Sequence, residues 1–526
     1  MSDEAKPFPL PVIPPVLRSQ HDAKKFAQAA FGDFFSYPIS AAQKLLVSTK
    51  AHEWEEQGKK NALQVFHAAA ERVPAYRDFL KKEGIKPEKI KTYSDFSQVP
   101  VVDKKNYLTR YPLGALSWDG NGQHDQIISV SSGSTGKPFL WPRDTRLELE
   151  VTYFFELIFN SFFNRPGKRT LIVDCFAMGM YVGGPFFLNT HLRIAQKGYE
   201  ATIVTPGNVM DDILRVVQEL APDFDQILLS GYPPFLKDVI ENGQEVGIDW
   251  SKKRVILYPA GEGFSESWRT AVAEAAGGVD EFTNFLSYYG TADAAVLGVE
   301  TPWSIALRKK ASKSVQTIEE IFGQNRLPSV LQYLPTIRHL EVIANEIHLT
   351  TANGAIPLIR YNIHDNGGIM THTEVADIIG NQFEAEFTKR KVGTPWELPY
   401  VYVFGRSDHT AILYGANIYP ENIKSALETG LAATKCSGRF IMETEEDHQH
   451  NQHLNIHLEC QKGAKPTSQL KQRLTMSIVE VLREVNAEYA DMHRAVGNRA
   501  IPQLFLHVYG DERYFPRTKQ KQKWKR

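Results

Sequence analysis

A run of hydroxyl residues and glycines with a single lysine is the stretch whose side chains are best suited to chemistry on phosphate. It reads Ser131-Ser132-Gly133-Ser134-Thr135-Gly136-Lys137-Pro138, and the preceding Gln126-Ile127-Ile128-Ser129-Val130 predicts a buried strand. Glycines let backbone N–H groups approach a ligand closely, and such groups, with hydroxyls and an ammonium, can surround a polyphosphate. The run lacks the spacing and the hydroxyl residue after the lysine that define a P-loop. It predicts a phosphate-binding loop at a strand end, and a flexible loop without a ligand is the alternative.

A second segment, Tyr288-Tyr289-Gly290-Thr291-Ala292-Asp293, combines an aromatic ring, a glycine and a carboxylate. It directly follows Asn284-Phe285-Leu286-Ser287, which predicts a strand. An aromatic ring can stack on a nucleotide base, and a carboxylate oxygen is a ligand that Mg²⁺ accepts. An ordinary turn at the end of a strand is the alternative.

Four more segments carry groups of the same kinds. Ala260-Gly261-Glu262-Gly263-Phe264-Ser265 precedes a predicted helix, with Ser265 as its N-cap. Pro357 to Asp365 ends in a carboxylate, Phe404-Gly405-Arg406-Ser407-Asp408 lies where the pattern of elements changes, and Phe515 to Lys523 is a basic terminal segment. Without the other segments, Asp365 would be interpreted as a turn residue, and the basic segment 515–523 would be interpreted as a solvated tail.

Taken in the order in which they occur along the chain, these segments resemble the signatures of the adenylate-forming enzymes. That family comprises acyl-CoA synthetases, peptide-synthetase adenylation domains and luciferases. The phenylacetate-CoA ligase branch is the most similar, because Ala260–Ser265 resembles its Gly-Ala-Glu-Pro-Trp-Ser and Leu413–Pro420 its Gly-Val-Asn-Val-Phe-Pro. Gly179–Gly184 is similar to the acyl-pocket loop of that branch. The resemblance covers about residues 70–526.

The resemblance implies a role for each matching residue. Tyr289 would stack on adenine, Asp365 would accept hydrogen bonds from the ribose hydroxyls, and Arg406 would reach the ribose. Tyr181, Gly183 and Gly184 would bind the acyl substrate. The other nucleotide-binding positions that it implies are Ser131, Ser132, Gly133, Ser134, Thr135, Gly136, Lys137, Ala260, Gly261, Glu262, Gly290 and Thr291.

Three further positions complete the implied site. Asp293 takes the magnesium-binding carboxylate position, although it is one methylene shorter than the usual Glu and Ala292 before it lacks the usual hydroxyl. Asp408 would be the hinge about which a small domain rotates. Lys521 aligns with the catalytic lysine through Pro516-Arg517. Gln520 replaces the usual glycine there, and Lys519 and Lys523 are close competitors for the role. The implied cofactors and co-substrates are ATP, Mg²⁺ and CoA.

The composition of the chain limits the functions to be considered. Its 526 residues, 42% of them hydrophobic, can bury a sizeable core and predict about three domains. The 60 basic and 61 acidic residues nearly cancel, which argues against a general nucleic-acid or membrane-surface binder. Three widely spaced cysteines fit no zinc or disulfide pattern and favour a reducing, cytoplasmic setting. The N-terminus lacks the pattern of a signal peptide, and the most apolar stretch, 151–163, is too short to span a bilayer.

Short apolar segments alternate with amphipathic ones between 126 and about 370. This alternation predicts an α/β fold in which mostly parallel sheets are flanked by helices. After 404, a predicted hairpin and a long helix indicate a small, mobile α+β domain. We therefore divide the chain into an N-terminal arm with helices at 1–60, a large adenylate-forming domain at 61–404 and a small C-terminal domain at 405–526.

Together these features predict an AMP-forming acid–thiol ligase. A carboxylic acid, for which an aryl or arylalkyl acid is favoured, would react with ATP to give acyl-AMP, and CoA would then take the acyl group. Three alternatives stay open: an amine as the acceptor, a degenerate non-catalytic relative to which Ala292 and Gln520 point, and a phosphotransferase that releases ADP. A homodimer is also left open. His448, His450 and His453 lie between predicted strands and are interpreted as a solvated hairpin loop, with a transition-metal site as the alternative.

Overall fold

The computed structural model describes residues 38–121, 126–131, 139–180, 182–324, 326–352, 354–406, 410–427 and 430–515. The strands are β1 Gln126–Ser131, β2 Phe139–Asp144, β3 Thr170–Asp174, β4 Ala201–Val204, β5 Gln226–Gly231, β6 Arg254–Pro259, β7 Tyr288–Thr291, β8 Ala295–Val299, β9 Ser329–Gln332, β10 His339–Ile343, β11 Glu346–Thr351, β12 Leu358–Met370, β13 Tyr400–Arg406, β14 Ala411–Leu413, β15 Ala416–Ile418, β16 Cys436–Glu446, β17 Gln452–Cys460 and β18 Gln503–His507.

The α-helices are α1 Ile39–Ser48, α2 Ala51–Arg72, α3 Pro74–Lys82, α4 Tyr93–Phe96, α5 Leu113–Leu116, α6 Thr145–Ile158, α7 Gly183–Gln196, α8 Met210–Leu220, α9 Pro233–Glu245, α10 Glu266–Ala275, α11 Pro302–Ala311, α12 Val315–Phe322, α13 His372–Ile379, α14 Glu384–Arg390, α15 Pro420–Leu427, α16 Gly430–Lys435, α17 Ser468–Val485 and α18 Ala487–Val496. No helix in the described ranges is long and apolar enough to cross a membrane.

A four-stranded sheet forms the centre of the N-terminal part. Its order is β4-β3-β5-β6, and all three pairings are parallel. β3 and β5 are buried along their whole length, as expected for strands covered on both faces by helices. The α/β class predicted from the alternating segments is therefore confirmed, and the carboxyl ends of these strands meet at one edge.

A seven-stranded sheet differs from the parallel array expected as far as residue 370. Its order is β10-β11-β12-β13-β9-β8-β7, and its pairings are antiparallel. The connection between β10 and β11 shows why, because Ala344 and Asn345 both have positive φ, 52° and 65°. A two-residue turn of this kind folds the chain straight back on itself as a hairpin.

One sequence expectation for a single strand is right only in part, and another is wrong. The strand expected at 126–130 is present as β1, but it is not buried, because it is half of a two-stranded ribbon with β2 in which Ile127 and Ile128 are each 40% exposed. The expected strand at 284–287 makes only an isolated bridge, Leu257 to Phe285, and the regular strand begins at Tyr288. A second bridge, Ala260 to Tyr288, places the loop after β6 beside the start of β7.

The C-terminal unit, as we call residues 410–515, contains the short β14–β15 hairpin and a three-stranded sheet of order β16-β17-β18. β16 and β17 form the antiparallel hairpin that the sequence predicts, and β18 adds parallel to β17. Helices α15, α16 and α17 pack with this sheet. Apolar residues of this unit and of one face of the four-stranded sheet belong to one buried cluster.

Candidate active site

A cleft of about 890 Å³ lies where the four-stranded sheet, the seven-stranded sheet and the C-terminal unit meet. Its walls include the loop after β6, the strand β7, the start of α7 and the β14–β15 hairpin. Binding sites in parallel α/β sheets gather at the carboxyl ends of the strands, and the loop after β6 obeys that rule. The cleft unites these residues nominated from the sequence: Gly183, Ala260, Gly261, Glu262, Tyr289, Gly290, Thr291, Asp293 and Asp365.

Tyr289 and Asp365 are joined by a hydrogen bond inside the cleft. The hydroxyl of Tyr289, on β7, donates to Oδ2 of Asp365, which lies on β12 and is 5% exposed. Asp365 pairs in register with Arg406 of β13, so the backbone of Arg406 runs beside it. The tyrosine hydroxyl is therefore bound directly to the carboxylate, and the roles that the resemblance implies for the three residues stay predictions.

Asp293 is held between a tyrosine and a lysine. The hydroxyl of Tyr361 donates to Oδ2 of Asp293, and Nζ of Lys104 lies 3.4 Å from its Oδ1. The Lys104 ammonium also lies 5.8 Å from the centroid of the Trp141 ring. Asp293 is only 7% exposed, so the nearby ammonium offsets a charge that is largely removed from water. Among the described residues, no three His, Cys, Asp or Glu side chains are grouped to hold a metal ion.

Glu262 points its carboxylate at the C-terminal unit. Its Oε1 accepts a hydrogen bond from the backbone N of Gly415 at 3.0 Å, and its Oε2 accepts one from Nε2 of Gln452 at 2.5 Å. Burial raises the pKa of Glu262 to about 7, and these two hydrogen bonds only partly oppose the rise. The neighbouring Ala260 and Gly261 line the cleft; the implied place of this segment beside adenine stays a prediction.

A buried network of charges anchors the loop 260–265. Ser265 caps α10 as the sequence predicts, accepting a hydrogen bond from the backbone N of Trp268 at 3.0 Å. Arg269 and Arg308 both bond to Glu300, which is 0% exposed. Arg308 also donates to the carbonyl of Phe264.

The same network reaches the strand that follows. Glu300 accepts a hydrogen bond from the backbone N of Ser287 at 2.8 Å, and Arg269 donates to the carbonyl of Phe285 at 2.7 Å. Burial alone would raise the pKa of Glu300, but the two guanidinium groups outweigh burial and hold this pKa at about 2. One ionised carboxylate thus ties the loop after β6 to the segment that enters β7.

The two glycines predicted to contact the acyl group occupy different positions. Gly183 lines the cleft at the start of α7, whereas Gly184 is buried and does not line the cleft. A Cβ on Gly184 would come within 2.7 Å of the carbonyl oxygen of Ala177, so only glycine fits there. Gly184 thus shapes the loop that leads to α7.

Several predicted site residues lie outside the described residues: Ser132, Gly133, Ser134, Thr135, Gly136, Lys137, Tyr181, Asp408, Lys519, Lys521 and Lys523. Ser131 ends β1 and Arg406 ends β13. The roles assigned to all of these residues stay predictions.

Two of the histidines near the β16–β17 turn contact carboxylates: His450 lies between the two strands, and His453 is the second residue of β17. Nδ1 of His450 contacts Glu446, and Nε2 of His453 lies 3.1 Å from Oδ2 of Asp447. These contacts fit the interpretation of this segment as a hairpin loop.

Sequence reasoning gave no role to three residues that line the cleft, Lys104, Tyr232 and Gln452, nor to Tyr361. Lys104 and Tyr361 are identified by their contacts with Asp293. Tyr232 and Gln452 are identified by their contacts with the β14–β15 turn. Only the fold supplies these contacts.

The chain is similar to known proteins in sequence and in fold, although no protein-family model matches it. The phenylacetate-coenzyme A ligase of Aromatoleum evansii is 22% identical over 382 residues, covering 72% of this chain and 76% of that protein. The enzyme of the same name from Thermus thermophilus is 24% identical over 388 residues, covering 71% and 74%. The structure of 2-hydroxyisobutyryl-CoA ligase in complex with 2-HIB-AMP and CoA covers 92% of this chain and 91% of its own, with a TM-score of 0.60 at 16% identity. At that identity the structural likeness concerns the fold alone.

Proposed function

We propose that this chain, which belongs to the adenylate-forming superfamily and to its phenylacetate-CoA ligase-like branch, activates a carboxylic acid with ATP and transfers the acyl group to CoA. The products are an acyl-CoA thioester, AMP and pyrophosphate. The observation that carries the proposal is that Tyr289, Asp293 and Asp365 share one cleft with the loop 260–262. These residues come from three separate segments of the chain, 260–265, 288–293 and 357–365. Each segment resembles a different signature of the family.

The first half-reaction forms acyl-AMP. A carboxylate oxygen of the acid attacks the α-phosphorus of ATP, and the bond from that phosphorus to the bridging oxygen breaks, so that pyrophosphate leaves. Asp365 accepts hydrogen bonds from the ribose hydroxyls while the ring of Tyr289 covers the adenine. Lys521 brings a positive charge to the oxygens on which charge develops, and the loop 131–137 binds the phosphates.

Asp293 is the residue that would hold Mg²⁺, which when bound would offset the charge of the phosphates. Mg²⁺ commonly uses one or two protein carboxylates together with phosphate oxygens and water. The largely buried carboxylate of Asp293 fits that pattern. The ammonium of Lys104 lies 3.4 Å from this carboxylate, so the cation must compete with it.

The second half-reaction moves the acyl group to sulfur. The thiol of CoA attacks the acyl carbon, the bond from that carbon to the AMP oxygen breaks, and AMP leaves. We propose that the boundary between a large domain at 61–404 and a small domain at 405–526 is the place where the molecule rearranges between the two steps. Asp408 is the proposed pivot.

An aryl or arylalkyl acid is the proposed substrate class. Phe176, Phe186 and Tyr288 line the cleft near Gly183. Aromatic side chains favour flat, apolar partners because stacked and edge-on ring contacts add to the burial of apolar area.

The test is a panel of aryl, arylalkyl and aliphatic acids, incubated with ATP and Mg²⁺ in the presence and absence of CoA. We expect acid-dependent release of pyrophosphate, and AMP with acyl-CoA when CoA is present. Release of ADP would contradict the proposal and indicate a phosphotransferase. Amide formation from an added amine, without dependence on CoA, would favour the amine alternative. No pyrophosphate with any acid would indicate a non-catalytic relative.

A further inference from the structure

The ring of Tyr232 lies between two glycines that belong to different parts of the chain. Gly261 is in the loop after β6, and Gly415 is in the turn between β14 and β15. A Cβ on Gly261 would lie 2.7 Å from Cδ1 of the ring, and a Cβ on Gly415 would lie 2.2 Å from Cε1. Both glycines have positive φ, +97° and +80°. The ring therefore fits only because both positions lack a side chain.

Hydrogen bonds to the β14–β15 turn reinforce the contact between Tyr232 and Gly415. Glu262 accepts one from the backbone N of Gly415 and one from Nε2 of Gln452. Oε1 of Gln452 in turn accepts one from the backbone N of Tyr414 at 2.8 Å. One carboxylate and one amide thus bind both residues of the β14–β15 turn. We call Tyr232, Glu262 and Gln452 the clasp.

A second contact between the same two parts involves α9. Nζ of Lys237 donates to Oδ1 of Asn451 at 3.0 Å, and Asp238 forms an ion pair with Arg499. Lys237 and Asp238 are 6% and 3% exposed. Lys237 also pairs with Glu241 on its own helix. The cationic partner of the buried Asp238 is Arg499, and buried charges are normally paired, so the C-terminal unit helps to balance the charge of Asp238.

This arrangement gives the C-terminal unit a definite orientation. Its β14–β15 turn and the adjoining ends of β16 and β17 face the cleft. The described chain ends at Phe515, whose carbonyl accepts a hydrogen bond from Nη1 of Arg439 at 2.9 Å. Arg439 lies seven residues before the cleft end of β16, a distance of about 23 Å along a strand. In this orientation, therefore, the β14–β15 turn faces the cleft. The start of the terminal segment that contains Lys521 does not.

We propose that Tyr232 and Glu262 are positioning residues that clasp the β14–β15 turn and stabilise the orientation of the C-terminal unit used for acyl transfer, at the expense of the orientation used to form acyl-AMP. The inference rests on the proposed two-step function. It assigns the carboxylate of Glu262 to the C-terminal unit rather than to adenine. The clasp acts on the balance between the two half-reactions and not on the reacting atoms.

The decisive variant is Gly415→Ala, because its methyl group would collide with the ring of Tyr232. We expect acyl transfer from supplied acyl-AMP to CoA to slow by about tenfold or more, since the transfer orientation becomes less populated. Acyl-AMP formation without CoA should fall much less. Gly463→Ala is the matched control, because Gly463 also has a positive φ, +89°, in the C-terminal unit but nothing lies within 4 Å of its Cβ position.

A background with Tyr232→Ala separates the collision from local strain in the turn. If Gly415→Ala acts by striking the ring, it should have little further effect once the ring is removed. An effect of Gly415→Ala that is equally large in both backgrounds would overturn the proposal. Glu262→Ala and Gln452→Ala should each slow transfer, and the double variant should be slower than either but by less than the product of the two effects, because the bond between these two side chains is lost in both single variants.

A distance measurement tests the clasp without any substrate. The three native cysteines are buried, so dyes can be attached at Glu219→Cys on α8 and Glu480→Cys on α17, both exposed positions. We expect energy transfer between the dyes to change in Gly415→Ala and Glu262→Ala but not in Gly463→Ala. An unchanged dye distance, or an equal loss of both half-reactions, would overturn the clasp. Absence of pyrophosphate release by the unaltered protein would instead overturn the proposed function, and the dye measurement would still decide on the clasp.

Discussion

At the scale of single residues, Asp365 is the proposed acceptor for the ribose hydroxyls. Its nearly buried carboxylate already accepts a hydrogen bond from Tyr289, and carboxylate oxygens can accept further ones. Hydrogen bonds to a charged group contribute about 1.5–3 kcal/mol each. We therefore expect Asp365→Ala to weaken ATP binding by about ten- to a hundredfold, measured by calorimetry. Asp377→Ala, at an exposed position of α13, is the control; unchanged affinity in folded Asp365→Ala would remove this residue from the site.

Asp293 and Lys104 should affect the magnesium requirement in opposite directions. Asp293→Asn removes the charge that would attract the cation, so we expect the Mg²⁺ concentration for half-maximal ATP binding to rise by about tenfold. Lys104→Met removes the competing ammonium 3.4 Å from that carboxylate, so the same concentration should fall. Titration of ATP binding with Mg²⁺ measures both. A rise in both variants would mean that Lys104 serves the phosphates more than it competes for Asp293.

Lys521 is assigned to the first half-reaction only. We expect Lys521→Ala to slow acyl-AMP formation by about a hundredfold or more, the usual effect of losing a contact to charge that develops in the transition state. Transfer from supplied acyl-AMP to CoA should be nearly unaffected, which is the reverse of the pattern expected for Gly415→Ala. Quenched-flow assays of each step decide it, and a stronger effect from Lys519→Ala or Lys523→Ala would show that the assigned register is wrong.

Residues inside contiguous signatures could be predicted from the sequence, whereas their partners could not. Tyr289, Asp293 and Asp365 were nominated because a glycine, a ring or a strand stood beside each in the chain. Lys104 contacts Asp293 although the two residues are far apart in sequence. No local sequence pattern predicts such a contact. The direction of the Glu262 side chain depends in the same way on where the C-terminal unit docks.

At the scale of elements, the network around Glu300 holds the loop 260–265 against the entrance of β7. Glu300→Gln would remove one of the two buried carboxylates that Arg269 and Arg308 share, because Glu266 also contacts both guanidinium groups. Loss of one partner from a buried ion pair costs about 3–5 kcal/mol, and the charge that Glu266 retains should keep the cost toward the lower end. We therefore expect a clear fall in the thermal unfolding midpoint of this variant. Glu274→Gln, exposed on α10, should leave the midpoint nearly unchanged, and equal midpoints in the two variants would show that the network contributes little.

Elements with strong periodicity could be predicted, and those shaped by turns or by distant pairing could not. The strands β3 to β6 stand out as short apolar runs between amphipathic helices, so the parallel sheet follows from the sequence. Residues 39–72 form α1 and α2, with extended backbone at Thr49 and Lys50 between them. The antiparallel sheet was missed because Ala344 and Asn345 lack the glycine that usually marks a hairpin turn of positive φ. Pairing between strands that are distant in sequence cannot be predicted from a local sequence pattern.

At the scale of the whole molecule, the contact between the C-terminal unit and the rest buries carboxyl groups. Burial raises the pKa of Glu262 to about 7 and that of Asp238 to about 6. Glu262 faces Gln452 and the N–H of Gly415. Around Asp238, Arg499 and Lys237 lower the pKa while Glu241 raises it, and Arg499 also bonds to Tyr414. Free carboxyl groups have pKa values near 4, so docking of the unit favours the protonated forms.

The sign of the pH effect follows from these raised values. The contribution of protonated Glu262 to docking is complete below about pH 4 and is lost as the pH rises through about 7. The ion pair of Asp238 with Arg499 needs ionised Asp238 and opposes part of this change. We expect the dye distance between α8 and α17 to move toward its undocked value as the pH is raised from about 5 to 8. Glu262→Gln should remove the part of the change centred near pH 7, because it cannot ionise. A pH profile identical to that of the unaltered protein would mean that Glu262 does not govern docking.

The fit of one ring between two glycines also limits how this lineage can change over evolution. A side chain at position 261 or 415 is tolerated only after position 232 has become small, because the ring fills the space on both sides. The order of substitutions is therefore constrained: the ring must shrink first, and a glycine can be replaced afterwards. We therefore expect these three positions to vary together although they are far apart in the chain. A relative with the same docking that carries a side chain in place of Gly415 must carry a small residue in place of Tyr232.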